Sequence, residues 1–131
     1  MRLLLDTHIL VWLAQAPDAL VPNERRLLED ANGPLIVSAI SLWEIRIKWE
    51  KLHPSGERKG TISPAQAMAH IERAAFDLVP ISVADCAAML DPPCESGDPF
   101  DQMLLIQAGN FGARLLTRDR RLADHPLAIC G

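Results

Sequence analysis

Four carboxylates, Asp6, Glu44, Asp101 and Asp119, lie just beyond strand-like apolar runs or in the first turn of the helix that follows. In a parallel α/β sheet such positions collect at one edge, where a crevice opens beyond the carboxyl ends of the strands. Like charges held a few ångströms apart repel one another, so the group is tolerated only if protonated, paired with bases or filled by a cation. Carboxylate oxygens without cysteine, and with no histidine at clear ligand spacing, select hard cations such as Mg²⁺ or Mn²⁺ over zinc. A cation so held lowers the pKa of a bound water, grips a phosphate oxygen and neutralises charge developing in an in-line displacement. Phosphodiester hydrolysis is the chemistry implied.

Each acid also has a structural reading. Ser41-Leu42-Trp43-Glu44 has the form of a capping box, with Glu44 bonding back to the N-cap amide. Asp98-Pro99-Phe100-Asp101 places an N-cap aspartate, a proline at the first helical position and an acid in the first turn, where the helix dipole favours it. Asp119 suits a cap for the short segment behind it. Asp6 differs, because Leu3-Leu4-Leu5 precedes it and Ile9-Leu10-Val11 follows, and an aspartate in apolar surroundings is costly without a partner. Thr117, two residues before Asp119, offers a hydroxyl to orient water or phosphate, or simply a turn hydrogen bond. Ser38 and Thr7 are weaker candidates of the same type. His8 stands in the first helical turn near the mouth, while His53, His70 and His125 follow no pattern.

The elements that must carry these residues alternate. Arg2 to Leu5 reads as a short buried strand, and Ile9 to Ala14 as a helix. Pro17 to Pro22 breaks the chain, and Asn23 is placed to cap a helix over Glu24 to Ala31 that stops at Asn32-Gly33. Leu35 to Ser38 is a second strand, leading into a helix from Leu42 to about Leu52. His53 to Gly60, polar and bearing glycine and proline, reads as a mobile loop that bears on substrate choice. Ser63-Pro64-Ala65-Gln66 opens the next helix with a capping box. Leu78 to Ile81 is a third strand, and a helix from Ser82 ends at Pro92-Pro93. A helix from Asp98 to about Phe111, a strand at Arg114 to Thr117, a helical turn at Asp119 to Asp124 and a last strand at Leu127 to Cys130 complete the chain. Such alternation implies βαβ units and an α/β fold with a mostly parallel sheet of about 4–5 strands flanked by helices.

Bulk properties narrow the partners. The 131 residues suit one domain, residues 1–131, and 49% hydrophobic with 23% charged residues excludes disorder. Cys86, Cys94 and Cys130 are odd in number and lack C-x-x-C spacing, so reduced thiols in a cytoplasmic protein fit best. The longest apolar run, Ile9 to Ala14, is too short to cross a membrane. Arg2, Leu3 to Leu13 and Ala14-Gln15-Ala16 imitate a secretion signal, but Asp6 and His8 interrupt its apolar stretch. A net charge of −4 looks wrong for gripping nucleic acid until the distribution is considered. Bases gather at Arg46, Lys48, Lys51, Arg58 and Lys59, and again at Arg114, Arg118, Arg120 and Arg121, giving an acidic pit basic shoulders.

Taken together, Leu3-Leu4-Leu5-Asp6-Thr7-His8, Ser38 to Ile45, Asp98-Pro99-Phe100-Asp101 with Gln107-Ala108, and Thr117-Arg118-Asp119 resemble a PIN-domain protein of the VapC toxin type. The resemblance runs from Arg2 to about Asp124 and implies a three-layer PIN-like fold. It further implies a Mg²⁺- or Mn²⁺-dependent endoribonuclease, the toxin of a toxin–antitoxin pair, cutting RNA with metal-activated water. Asp6, Glu44, Asp101 and Asp119 match the family's four acidic, metal-holding positions, Thr117 its hydroxyl position and Asp98 an extra aspartate of the D-P-F-D subgroup. The family is commonly dimeric and is silenced by an antitoxin, so a homodimer and a cognate antitoxin are implied partners beside the RNA substrate. Two positions depart from the pattern: Ser96 stands where a histidine is common and Gln102 where an arginine is common.

Two other functions compete. The haloacid-dehalogenase phosphatases, with a D-x-D motif after the first strand, are disfavoured because His8 replaces the second acid. A PIN-fold binding module without nuclease activity would use the acids as caps and cation ligands. Trp12, Trp43, Trp49 and Phe100, with Leu10, Leu13, Ile45 and Ile47, either form association patches or fill the core, and spacing favours the core.

Overall fold

The computed structural model describes residues 1–131 and contains a five-stranded, wholly parallel sheet in the order β3-β2-β1-β4-β5. Its strands are β1 (Arg2–Leu5), β2 (Ile36–Ser38), β3 (Asp77–Val79), β4 (Ala113–Leu116) and β5 (Ala128–Ile129). The helices are α1 (Thr7–Gln15), α2 (Pro22–Glu29), α3 (Ala39–Glu50), α4 (Pro64–Arg73), α5 (Val83–Ala87), α6 (Pro99–Asn110) and α7 (Arg120–Ala123), with a 3-10 turn over Pro17–Ala19. None is long and apolar enough to cross a membrane.

Strand alternation sends successive side chains to opposite faces, and the core divides accordingly. Leu3, Leu5, Val37 and Leu116 pack on one face against Ile9, Leu10, Ile45, Ala67 and Ile71 from α1, α3 and α4. Leu4, Ile36, Ala113 and Leu115 pack on the other against Leu104, Leu105 and Ala108 of α6. Continuous leucine runs in β1 and β4 are thus what a sheet buried on both faces requires. Truncating any of these leucines to alanine would cost about 2–5 kcal/mol.

Several boundaries differ from the sequence expectation. α3 begins at Ala39 because Ser38 caps it, its hydroxyl accepting from Ile40 N at 3.1 Å. Ser41 and Glu44 therefore lie inside the helix, and no capping box forms there. α2 is entered through Pro22 after Val21, and Glu24, not Asn23, satisfies the exposed amide of Val21 at 2.8 Å. α5 ends at Ala87, well before Pro92. The polar segment 53–60 folds back as a small hairpin, with Leu52 bridged to Arg58, Lys59 N donating to Lys51 O at 2.9 Å and the Arg58 guanidinium 4.6 Å from the Trp49 ring centre. These contacts leave no mark on composition, which shows the segment only as a loop.

Candidate active site

Parallel strands ending at one edge explain why distant acids meet. Asp6 follows β1, Thr117 follows β4, and the Asp6 amide donates to Leu116 O at 3.0 Å, so the two strand ends are in register. Asp98 caps α6, accepting from Phe100 N at 2.9 Å, which sets Asp101 in the first turn. Asp119 caps α7, accepting from Arg121 N at 2.9 Å. Asp6, Glu44, Asp98, Asp101 and Asp119 then line one open cavity of about 250 Å³, together with His8, Lys48, Lys51 and Arg121.

The carboxylates are not equivalent. Asp6 is only 6% exposed, and burial holds its carboxyl above the ordinary value, opposed by a 2.6 Å hydrogen bond from the Thr117 hydroxyl and by Thr7 N at 2.7 Å. Asp101 is likewise raised by burial, with Asp98, Asp6 and Asp119 adding repulsion, while the Ser96 hydroxyl donates to it at 2.8 Å. Asp119 goes the other way, because Arg121 donates to it, with Nη2 at 2.8 Å from Oδ2. Glu44 accepts from the Thr7 hydroxyl at 2.8 Å and pairs with Lys48 Nζ at 3.0 Å, one helical turn on. Acids pulled apart in proton affinity within one pit are the pattern expected of a reactive site.

Of the two roles its spacing offered, Thr117 takes the turn hydrogen bond. Its side chain is fully buried, its proton goes to Asp6, and its oxygen accepts from Asp119 N at 3.0 Å. It therefore orients two acids and does not face the cavity. Thr7 does the same for Glu44, with Ser41 Oγ 2.9 Å from its hydroxyl. Sequence spacing missed Ser96 as a donor to Asp101; Arg121, counted among the basic shoulders of the pit, lies between Asp119 and Asp101 at 2.8 and 3.7 Å. Among the aromatic residues, Trp12 packs against the core under the Arg118 guanidinium, 3.9 Å from its ring centre, whereas Trp43 is 50% exposed.

A divalent cation suits the donor chemistry of this pit, since every acidic ligand on offer is a hard carboxylate oxygen and no thiolate reaches it. No three acidic, imidazole or thiolate groups already converge on a common point. Arg121 and Lys48 hold Asp119, Asp101 and Glu44 instead. A cation that keeps most of its waters and touches one or two carboxylates fits this arrangement better than a closed protein cage.

Comparison with known proteins agrees with the geometry. Residues 3–126 match the PIN domain family. The chain is 33% identical to Ribonuclease VapC22 of Mycobacterium tuberculosis, over 93% of this chain and 90% of that protein. Its fold is similar to that of the DNA-bound VapBC of Salmonella typhimurium (TM-score 0.63, 18% identity, covering 100% of this chain and 97% of that one). It is similar also to a toxin–antitoxin complex of Klebsiella pneumoniae (TM-score 0.62, 19% identity, covering 96% and 94%). Acids gathered at the carboxyl edge of a five-stranded parallel sheet and a match over nearly the whole chain lead to one conclusion: this chain belongs to the PIN-domain family.

Proposed function

We propose that this chain is a Mg²⁺- or Mn²⁺-dependent endoribonuclease, the toxin of a toxin–antitoxin pair. One observation carries the reading: five carboxylates face a single cavity at the carboxyl edge of the sheet, two of them with raised proton affinity. The likeness to a protein named as a VapC ribonuclease supports the activity, and the likeness to toxin–antitoxin complexes supports an antitoxin as partner.

In this reading one or two of Asp6, Glu44, Asp101 and Asp119 would bind the cation directly and the others through its waters, with Asp98 beside them. When bound, the cation supplies an activated water and offsets phosphate charge. The chain's own groups do the rest. Thr117 and Ser96 fix the orientation of Asp6 and Asp101 through hydrogen bonds of 2.6 and 2.8 Å. Lys48, Lys51 and Arg121, on the cavity wall, receive backbone phosphates.

A second reading, a binding module that hydrolyses nothing, is favoured by the ion pairs that occupy Asp119, Asp101 and Glu44. Induced expression separates the two. The ribonuclease arrests growth and leaves new RNA ends on sequencing, and both effects vanish in the Asp6→Asn, Asp101→Asn double variant. Growth arrest that persists in that variant removes hydrolysis from consideration. Co-purification with the product of the adjacent gene checks the antitoxin.

A further inference from the structure

Beside the acid pit lies a second cavity of about 210 Å³ that shares His8 and Lys48 with it. Its floor is apolar, made by Val11 and Trp12 of α1, Ile45 of α3 and Ile62, while Lys48 and Lys59 stand at its rim. Resting on the ribonuclease reading, we infer that this groove receives one nucleoside of the RNA strand next to the phosphate held over the acids.

Three features favour a nucleoside over other occupants. The groove shares His8 and Lys48 with the acid pit, so the two lie side by side and one extended strand can reach both. An apolar slot with ammonium groups at its mouth matches a flat base flanked by phosphates. In a chain of net charge −4, RNA can be held only where bases are locally concentrated, and Lys48, Lys51 and Lys59 are so placed.

The wall is also built in advance. Lys59 N donates to Lys51 O at 2.9 Å and Arg58 Nη1 to Trp49 O at 2.7 Å, tying the hairpin to the end of α3. At Gly60 a Cβ would come within 2.9 Å of the Trp49 backbone, so this close approach needs glycine. The segment that the sequence marked as a substrate-selecting loop thus forms a side of the groove.

Two substitutions test it: Val11→Trp, which fills the groove from a half-buried helix position, and Lys59→Gln, which removes a rim charge from an exposed one. The probe is a fluorescein-labelled mixed-sequence 12-nucleotide single-stranded RNA, with the Asp101→Asn background used for binding without cleavage. The expected result is a rise of about tenfold in KM and in Kd for Val11→Trp, with kcat unchanged. Lys59→Gln should flatten the slope of log Kd on log salt by about 0.7. Circular dichroism establishes that each variant is folded, and the exposed Lys59→Gln decides the matter if Val11→Trp is not. An RNA-cleaving parent whose variants keep KM, Kd and salt slope overturns the groove alone. A parent that neither cleaves nor binds RNA overturns the ribonuclease reading with it. Unchanged RNA affinity with lost antitoxin binding also overturns the inference, assigning the groove to a peptide.

Discussion

Replacing Ser96 by alanine removes one hydroxyl that serves both acids of the D-P-F-D motif. Its oxygen donates to Asp101 Oδ2 at 2.8 Å and accepts from Asp98 N at 3.2 Å, and Gln102 Nε2 fastens the same residue by its carbonyl at 3.1 Å. Ser96 is 2% exposed, so bulk water does not readily replace it. A hydrogen bond to an ionised group contributes about 1.5–3 kcal/mol, and Ser96→Ala should lose about that much at neutral pH. At about 3–4 °C per kcal/mol for a chain of this length, the melting temperature falls by about 5–12 °C. Ser96 opposes the rise in the Asp101 pKa, so its loss drives that carboxyl further above 3.8. The deficit is therefore largest where Asp101 is ionised and shrinks in acid, where both chains carry it protonated. If Asp101 holds the cation, losing its orienting partner also weakens binding by about 10–100-fold. Thermal unfolding in EDTA at pH 5 and pH 7.5, with Mn²⁺ affinity by electron paramagnetic resonance, measures both effects. Gln102→Ala, at an exposed position, should shift both in the same direction by less. An Mn²⁺ affinity unaltered in Ser96→Ala would refute the orienting role, whatever the stability.

Other perturbations should be as legible. Asp6 and Asp101 have folded pKa values above 3.8, so their contribution to stability is present below that value and is lost as pH rises through the raised ones. Asp101→Asn should therefore gain on the parent between pH 4 and 7 in EDTA by urea unfolding. Mg²⁺ at a hundredfold excess over Kd should stabilise the parent at pH 7 by about 2.7 kcal/mol and the variant far less; equal gains would exclude Asp101 as a ligand. Arg121→Ala frees Asp119 and Asp101, so Mn²⁺ titration should show tighter binding while RNA affinity drops; weaker Mn²⁺ binding would contradict it. Glu24→Gln breaks a buried carboxylate's bonds to Arg118, itself partly exposed, and should cost roughly 1.5–3 kcal/mol in chemical denaturation. Glu24 is held below its ordinary value of 4.5 by Arg118 and Val21 N against the cost of burial, so that contribution disappears as pH falls through the lowered pKa.

How much of this was readable depends on whether the signal is local. β1 and β4 were legible because Leu3-Leu4-Leu5 and Leu115-Leu116 are apolar on both faces, as a doubly covered sheet demands. The α6 start was legible because Asp98-Pro99 caps and enters a helix by chain-local bonds. The α3 start was not: two serines three residues apart, Ser38 and Ser41, both suit an N-cap, and Ser41 is drawn into the helix by burial against Thr7, 34 positions away. Glu44 owes its place to that outcome, since a capping role would have turned it toward the backbone. Ser96 and Gln102 were noticed only as departures, yet their meaning is a hydrogen-bonded unit around Asp101 that spacing cannot reveal.

Charge in the pit gives these contacts a common logic. Five acids face it and three permanent bases, Lys48, Lys51 and Arg121, share its wall, leaving a formal excess of two negative charges apart from His8. In the ribonuclease reading that excess would repel an RNA phosphate and a bound divalent cation would offset it, so RNA affinity should depend on the cation even when cleavage is blocked. A cation held there would compete with the Arg121 guanidinium for the oxygens of Asp119 and Asp101. Arg121, so released, would be free to meet an RNA phosphate. Measured with all five acids intact and Ca²⁺ in place of Mg²⁺ to block cleavage, RNA affinity that is indifferent to the cation in the parent but responsive in Arg121→Ala would reverse that order and leave the arginine as a structural pair alone.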